Sequence, residues 1–137
     1  MDEQANLGIV RQCYEAFATG DTARMRSYFA PGISWEIPTV PGVAFSGKRQ
    51  GCEQVMAFFR EMGEAQEVRA FAPNEFIAKG PRVVVLGHYA FTIRATGACF
   101  ESDWVHLFTV RDGKITDFRE FLDSHLAAAA YRGGAGG

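Results

Sequence analysis

The chain of 137 residues carries 14 Lys and Arg against 16 Asp and Glu, for a net charge of -2, and 47% of its residues are hydrophobic. These values predict one globular domain and exclude a disordered chain or a basic nucleic-acid-binding surface. No apolar run approaches the roughly 18 residues of a membrane span, and the start Met1–Gln4 does not resemble a signal peptide. Three cysteines without a CxxC motif indicate reduced thiols in a cytoplasmic protein.

The N-terminal part of the sequence predicts three helices and one strand. Apolar residues repeat at helical spacing in the first and third helices, and they alternate in the strand. Pro31-Gly32 predicts a turn before that strand. The predicted elements are a helix over 3–19, a short helix over 22–29, a strand over 33–37 and a helix over 51–62.

After Gly63 the pattern changes to the period of two that is typical of strands. The predicted strands cover 68–78 with a kink at Pro73, then 82–94, 99–110 and 115–122. A short helical end is predicted over 127–130, and the Gly-rich tail 132–137 is expected to be disordered, which leaves one domain over 1–131.

Helices followed by a run of antiparallel strands predict an α+β fold, with three N-terminal helices packed on one face of a sheet. The strands over 82–94 and 99–110 are apolar on both faces, whereas a sheet covered on one side should be polar on the other. The uncovered face is therefore expected to pack against a second copy of the chain, giving a homodimer.

Motifs along nearly the whole chain, about residues 5–127, resemble the nuclear transport factor two-like cone fold, in particular its SnoaL-like and ketosteroid-isomerase-like branch. The motifs are Tyr14–Asp21, Trp35–Pro38 with Gly47, Phe108–Ile115 and Arg119–Asp123. The resemblance implies a strongly curved, mostly antiparallel sheet wrapped by helices, a deep apolar pocket, and a dimer through the outer sheet face. Members of this family include isomerases, polyketide cyclases, epoxide hydrolases, dehydratases and non-catalytic proteins.

The resemblance also assigns positions to the site. The isomerase base, acid donor and tyrosine fall on Ile37, His106 and Cys13, so that constellation is not retained. The epoxide-hydrolase ending matches 118–123, but the strand over 82–94 lacks the aspartate of that triad. SnoaL-like cyclases resemble the chain better, and their histidine and acid fall on His106 and Glu120.

His106 and Glu120 are the candidate catalytic residues. An imidazole in an apolar strand is either a core histidine bonded to a neighbour or a general acid/base. Glu120 is either an exposed strand residue or, if it faces a cavity, an acid whose pKa burial would raise. Asp123 is expected to cap the terminal helix.

The family resemblance implies an apolar pocket, and a chain with 13% aromatic residues can line a cavity as well as fill a core. We expect its substrate-binding residues to be Tyr14, Phe17, Trp35, Ile37, Phe59, His88, Trp104, Phe118 and Leu122. The three histidines lack ligand spacing such as HxxxH, so neither a metal nor another cofactor is predicted.

The turn at Asp112-Gly113 decides whether the two candidate residues share a face. A two-residue loop would pair His106 with Arg119 and direct Glu120 to the other side. A three-residue loop with a glycine bulge would pair His106 with Phe118 and bring both candidates to one face. The hydrophobic pattern favours the first and the family resemblance favours the second, which we adopt.

The sequence thus predicts a cofactor-independent isomerase, cyclase, dehydratase or hydrolase that acts on a small apolar carbonyl or epoxide compound. The alternative is a non-catalytic protein of the same fold that binds an apolar ligand or serves as a dimeric scaffold. Neither alternative predicts a nucleic-acid or membrane partner.

Overall fold

The computed structural model describes residues 2–132, so most of the Gly-rich tail lies outside the described residues. Its helices are α1 (Glu3–Thr19), α2 (Thr22–Ser27), α3 (Gly51–Ala65) and α4 (Ser124–Tyr131). Its strands are β1 (Phe29–Glu36), β2 (Lys48–Gln50), β3 (Gln66–Lys79), β4 (Arg82–Ile93), β5 (Cys99–Arg111) and β6 (Lys114–Leu122). The α+β class and the three N-terminal helices are as predicted, and α4 is a complete C-terminal helix.

The six strands form one mixed sheet in the order β2-β1-β6-β5-β4-β3. β1 runs parallel to β6, and the other neighbours are antiparallel. The β3–β4 pairing carries bulges in β3, between Val68 and Ala70 and between Pro73 and Glu75. Bulges increase local twist and accommodate a proline that cannot donate to the ladder, so the predicted kink at Pro73 is confirmed.

Helix ends follow local capping chemistry. Asp2 accepts a hydrogen bond from the Ala5 amide at the start of α1, and Gly20 ends that helix with a φ of 73°. Asp123 accepts from two amides at the start of α4, as the sequence predicts. This cap explains why α4 begins three residues before the predicted 127–130.

The entry into β1 differs from the prediction. The second helix ends at Ser27, and β1 begins at Phe29, so the predicted turn at Pro31-Gly32 is wrong. The Ile115 amide donates to the Tyr28 carbonyl at 2.7 Å, which aligns this segment with β6. Pro31-Gly32 lies within the irregular stretch of the β1–β6 pairing, where a missing donor is tolerated.

The core lies between the helices and the concave face of the sheet. In β4 and β5 the buried side chains alternate with half-buried ones on the outer face. That outer face presents apolar side chains, of which Ile77 and Phe121 are 48% and 45% exposed. No helix in the described part of the chain is long and apolar enough to cross a membrane.

Candidate active site

The β5–β6 hairpin has a two-residue turn and a bulge. Asp112 and Gly113 both have positive φ angles, 51° and 76°, which is the geometry of a tight hairpin turn that follows the strand twist. Thr109 then pairs with Asp117, whereas Val110 pairs with Ile115, so Thr116 is the extra residue. The predicted three-residue loop is therefore wrong.

This bulge aligns the two candidate catalytic residues. Beyond Thr116 the register shifts by one, and His106 pairs directly with Glu120 instead of with Phe118 or Arg119. Residues directly opposite in an antiparallel pair point to the same face of the sheet. His106 and Glu120 thus meet on the concave face, by a register that neither sequence alternative contained.

Three polar side chains form a continuous hydrogen-bonded array, which we call the relay: Tyr14 from α1, His106 from β5 and Glu120 from β6. The Tyr14 hydroxyl lies 2.6 Å from His106 Nδ1, and His106 Nε2 lies 2.7 Å from Glu120 Oε2. A carboxylate only accepts, so Nε2 of a neutral imidazole carries the proton and donates to Glu120. Nδ1 then accepts the hydrogen bond that the Tyr14 hydroxyl donates.

Burial governs the protonation of the relay. His106 is 5% exposed, and desolvation lowers its pKa, although the hydrogen bond to Glu120 acts in the opposite direction. Burial also raises the pKa of the Tyr14 phenol. Both effects favour the neutral imidazole and the protonated phenol that the hydrogen-bond pattern requires.

Aromatic rings enclose His106. The Trp104 indole is stacked on the imidazole with ring centroids 3.8 Å apart, and Phe118 approaches edge-on at 4.7 Å. Gly87 in β4 pairs with Trp104, and a Cβ on Gly87 would overlap the indole and come within 2.6 Å of the Ala72 carbonyl oxygen. Trp104 can therefore pack against His106 in this position only because residue 87 is a glycine.

A cavity of about 100 Å³ lies against the relay. Its wall includes most of the predicted substrate-binding residues, namely Tyr14, Phe17, Trp35, Ile37, Phe59, Phe118 and Leu122. Among the residues 2–132 that line it, Glu120 alone is charged. The loop before β2 and helix α4 complete the wall with residues that the sequence analysis did not include: Val40, Val43, Phe45, Ala127 and Tyr131.

Two predicted substrate-binding residues lie elsewhere. His88 points to the outer face of β4, where its ring nitrogens lie 2.9 Å from Asp103 and 2.9 Å from Glu101. The parity of β4 accounts for this, because Tyr89 and not His88 faces the cavity. Trp104 is buried behind His106 and is not part of the cavity wall.

The cavity wall also contains a thiol. Burial raises the pKa of Cys13 to about 12, so this cysteine is protonated and unreactive at neutral pH. Within residues 2–132, no group of three or more His, Cys, Asp or Glu side chains has the geometry to hold a metal ion. The relay is thus the part of the cavity that is suited to proton transfer.

A mixed sheet with helices that enclose an apolar cavity places the chain in the class of cone-shaped α+β domains. This chain belongs to the SnoaL-like domain family, whose model matches residues 10–118. An NTF2-like protein of Burkholderia xenovorans LB400 is 33% identical, with a TM-score of 0.87 over 96% of this chain and 98% of its own.

Two further relatives match almost end to end. TerC, whose crystal structure was determined after co-crystallisation with polyporic acid, is 27% identical, with a TM-score of 0.83 over 93% of this chain and 98% of its own. An uncharacterised protein of Mycobacterium tuberculosis strain H37Rv is 26% identical over 131 residues, which are 96% of this chain and 98% of that protein. The expected SnoaL-like and NTF2-like resemblance is confirmed.

Proposed function

We propose that this protein is a cofactor-independent enzyme that moves a proton on a small apolar carbonyl or epoxide compound. The observation that carries the proposal is the His106–Glu120 pair, joined at 2.7 Å beside a cavity with mostly apolar walls. In a site of low dielectric, water does not screen an acid/base pair, so the electrostatic interaction of the pair with a bound molecule is stronger. Isomerisation and cyclisation beside a carbonyl can proceed by such proton transfer without a cofactor.

The ligand is expected to be apolar with at least one oxygen atom. Apolar walls select hydrocarbon surface, while polar groups fix the orientation of the ligand. Tyr14 and Glu120 supply such polar groups in the cavity wall. Co-crystallisation of the relative TerC with polyporic acid supports an oxygen-bearing ligand for this chain as well.

Hydrogen–deuterium exchange at carbon tests the proposal without knowledge of the natural substrate. Phenylacetone and 2-tetralone in deuterium oxide should gain deuterium next to the carbonyl in the presence of the protein, as measured by NMR. Styrene oxide tests the hydrolytic form through diol production. His106→Ala and Glu120→Gln should each slow the reaction by about 100-fold or more, whereas His88→Ala, on the outer face, should not. Activity that survives both relay substitutions would refute the assignment.

A non-catalytic ligand-binding role is the second candidate. It is favoured by the departures from the isomerase pattern at Ile37 and Cys13, and by the bond from Tyr14 to His106, which also ties α1 to the sheet. Under this alternative, polyporic acid or 2-tetralone would bind in calorimetry without deuterium exchange or chemical change. His106→Ala would then alter affinity only.

We further propose that the protein forms a homodimer through the outer sheet face. The face presents an apolar surface made of Ile77, Val84, Leu86, Val105, Leu107 and Phe121. An apolar surface of this kind is typical of an interface. Phe121→Arg should change the sedimentation mass from twice 15.1 kDa to 15.1 kDa, whereas Leu126→Arg on α4, where Leu126 is as exposed as Phe121, should leave it unchanged. A wild-type monomer would refute the dimer.

A further inference from the structure

His106 is the centre of the relay, yet it has no free atom to offer a ligand. Its two ring nitrogens bond to Tyr14 and Glu120, at 2.6 Å and 2.7 Å. One ring face is covered by Trp104, and the ring as a whole is 5% exposed. Because both ring nitrogens are occupied, a ligand in the cavity can hydrogen-bond to the relay only at one of its ends, although the imidazole is part of the cavity wall.

Tyr14 is the end that can change its hydrogen-bonding role. In the resting arrangement its proton is donated to His106 Nδ1, so the lone pairs of its oxygen remain available as acceptors. Tyr14 and His106 both line the cavity, but Tyr14 is partly exposed whereas His106 is buried. An acidic hydrogen on a ligand can thus bond to the Tyr14 oxygen without displacing a protein contact.

We propose that Tyr14 Oη is the atom that takes the proton from the ligand, and that His106 passes the equivalent of that proton to Glu120. This inference rests on the proposed function and names the atom at which it acts. The X–H bond of the ligand breaks and its proton joins Tyr14 Oη. The Tyr14 proton moves to His106 Nδ1, the Nε2 proton moves to Glu120 Oε2, and the electron pair stays on the ligand as an enolate or related anion.

The charge balance of this step suits a buried site. Before the step Glu120 carries one negative charge, and afterwards the ligand carries it while Glu120 is a neutral acid. Neither an imidazolium nor a phenolate needs to form, and isolated charges of either kind are costly in an apolar cavity. The reversed step returns a proton to the ligand, so a proton taken from one position and returned to another is an isomerisation.

The same balance defines the ligand class. The ligand must be neutral and must carry an acidic hydrogen, such as a C–H beside a carbonyl or an enol O–H, whose anion can accept from Tyr14. After the transfer the Tyr14 hydroxyl points its proton toward that anion and stabilises it.

Tyr14→Phe is the decisive variant, because it removes one oxygen and keeps the ring packing. The rate of deuterium exchange into phenylacetone should fall by about 100-fold or more, with a KM within about threefold of the wild-type value. The matched control is Tyr28→Phe, which removes a hydrogen-bonded phenol at the C-terminal end of α2, outside the cavity. Its rate should equal that of the wild type.

The failures of the two proposals can be told apart. If the wild type exchanges deuterium and Tyr14→Phe retains the rate, then Glu120 acts on the ligand directly, and the Tyr14 assignment is overturned while the proposed function stands. If the wild type is inactive on every probe, both proposals fail.

The tautomer of His106 gives a test that needs no ligand. ¹⁵N NMR of the imidazole should show the proton on Nε2, and Tyr14→Phe should change the Nδ1 shift by removing its donor. A resting tautomer with the proton on Nδ1 would overturn the proposal whatever the activity. This measurement on the wild type holds even if Tyr14→Phe proves unstable.

Discussion

His88 and His106 lie on adjacent strands, and each imidazole is bonded through both ring nitrogens. His88, on the outer face, contacts Asp103 and Glu101, and these bonds raise its pKa. His106, on the concave face, contacts one acid and one phenol, and burial lowers its pKa. A carboxylate partner therefore does not by itself decide the direction in which the pKa of a histidine shifts here. The side of the sheet decides it, because desolvation outweighs one carboxylate hydrogen bond.

Adjacent residues of β4 belong to the two different environments, the concave face and the outer face of the sheet. Gly87 precedes His88 in β4 but contacts Trp104, which supports His106. Gly87→Ala should destabilise the fold by about 3 kcal/mol, because the new Cβ meets a fully buried indole and a backbone carbonyl. His88→Ala, the adjacent substitution on the outer face, should shift the urea midpoint far less.

The source of that cost can be checked with a second substitution. Trp104→Phe offers the Cβ a smaller neighbour, so Gly87→Ala should cost less in that background than in the wild type. Equal costs in both backgrounds would assign the strain to the Ala72 carbonyl instead of the indole.

The acid partners supply the next comparison. Glu120→Leu leaves the buried His106 Nε2–H without an acceptor and should destabilise by about 2 kcal/mol in urea denaturation. Glu120→Gln keeps an acceptor oxygen and should cost less. Glu101→Leu removes the corresponding acid from His88 at an exposed site, where its effect should be small. Similar losses for Glu120→Leu and Glu101→Leu would contradict the role given to burial.

Most of the fold could be predicted from the sequence, since long periodic segments determine elements such as α1, β4 and β5. β2 was missed because three residues give no readable period. The start of β1 was misplaced because its parallel neighbour β6 outweighs the local preference of Pro31-Gly32 for a turn.

The site was less predictable, because its parts are joined by register and by long-range contacts. The bulge at Thr116 has no glycine or proline to announce it, yet it alone aligns His106 with Glu120. Tyr14 and His106 are 92 positions apart, and periodicity carries no information about such a pair. The sequence analysis expected Tyr14 in the pocket wall, but it did not predict the contact with His106.

Titration of the two histidines separates them directly. NMR should give His106 a midpoint below about 6.5 and His88 a midpoint above it. A lowered folded pKa means that the unfolded chain binds the proton more readily, so the contribution of His106 to stability is complete above about pH 6.5 and is lost as the pH falls toward the folded value. The His106→Phe variant has no imidazole to protonate at this position, so its free energy of unfolding should fall less at acidic pH than that of the wild type. A His106 midpoint above that of His88 would reverse the comparison.

The smallest expected effect is the difference between the contributions of Asp103 and Glu101 to the raised pKa of His88. Asp103 contributes more than Glu101, so Asp103→Asn should lower the His88 midpoint further than Glu101→Gln does, as measured by NMR. Because the pKa of His88 is raised in the folded protein, its effect on stability depends on pH in the opposite direction to that of His106. The stabilisation is present below about pH 6.5 and is lost as the pH rises through the folded pKa. Because these side chains are partly exposed, added salt should move the His88 midpoint toward that of a free histidine. The His106 midpoint should hardly respond to salt, since a buried pair is screened much less, and an equal response of both rings would mean that water reaches the relay.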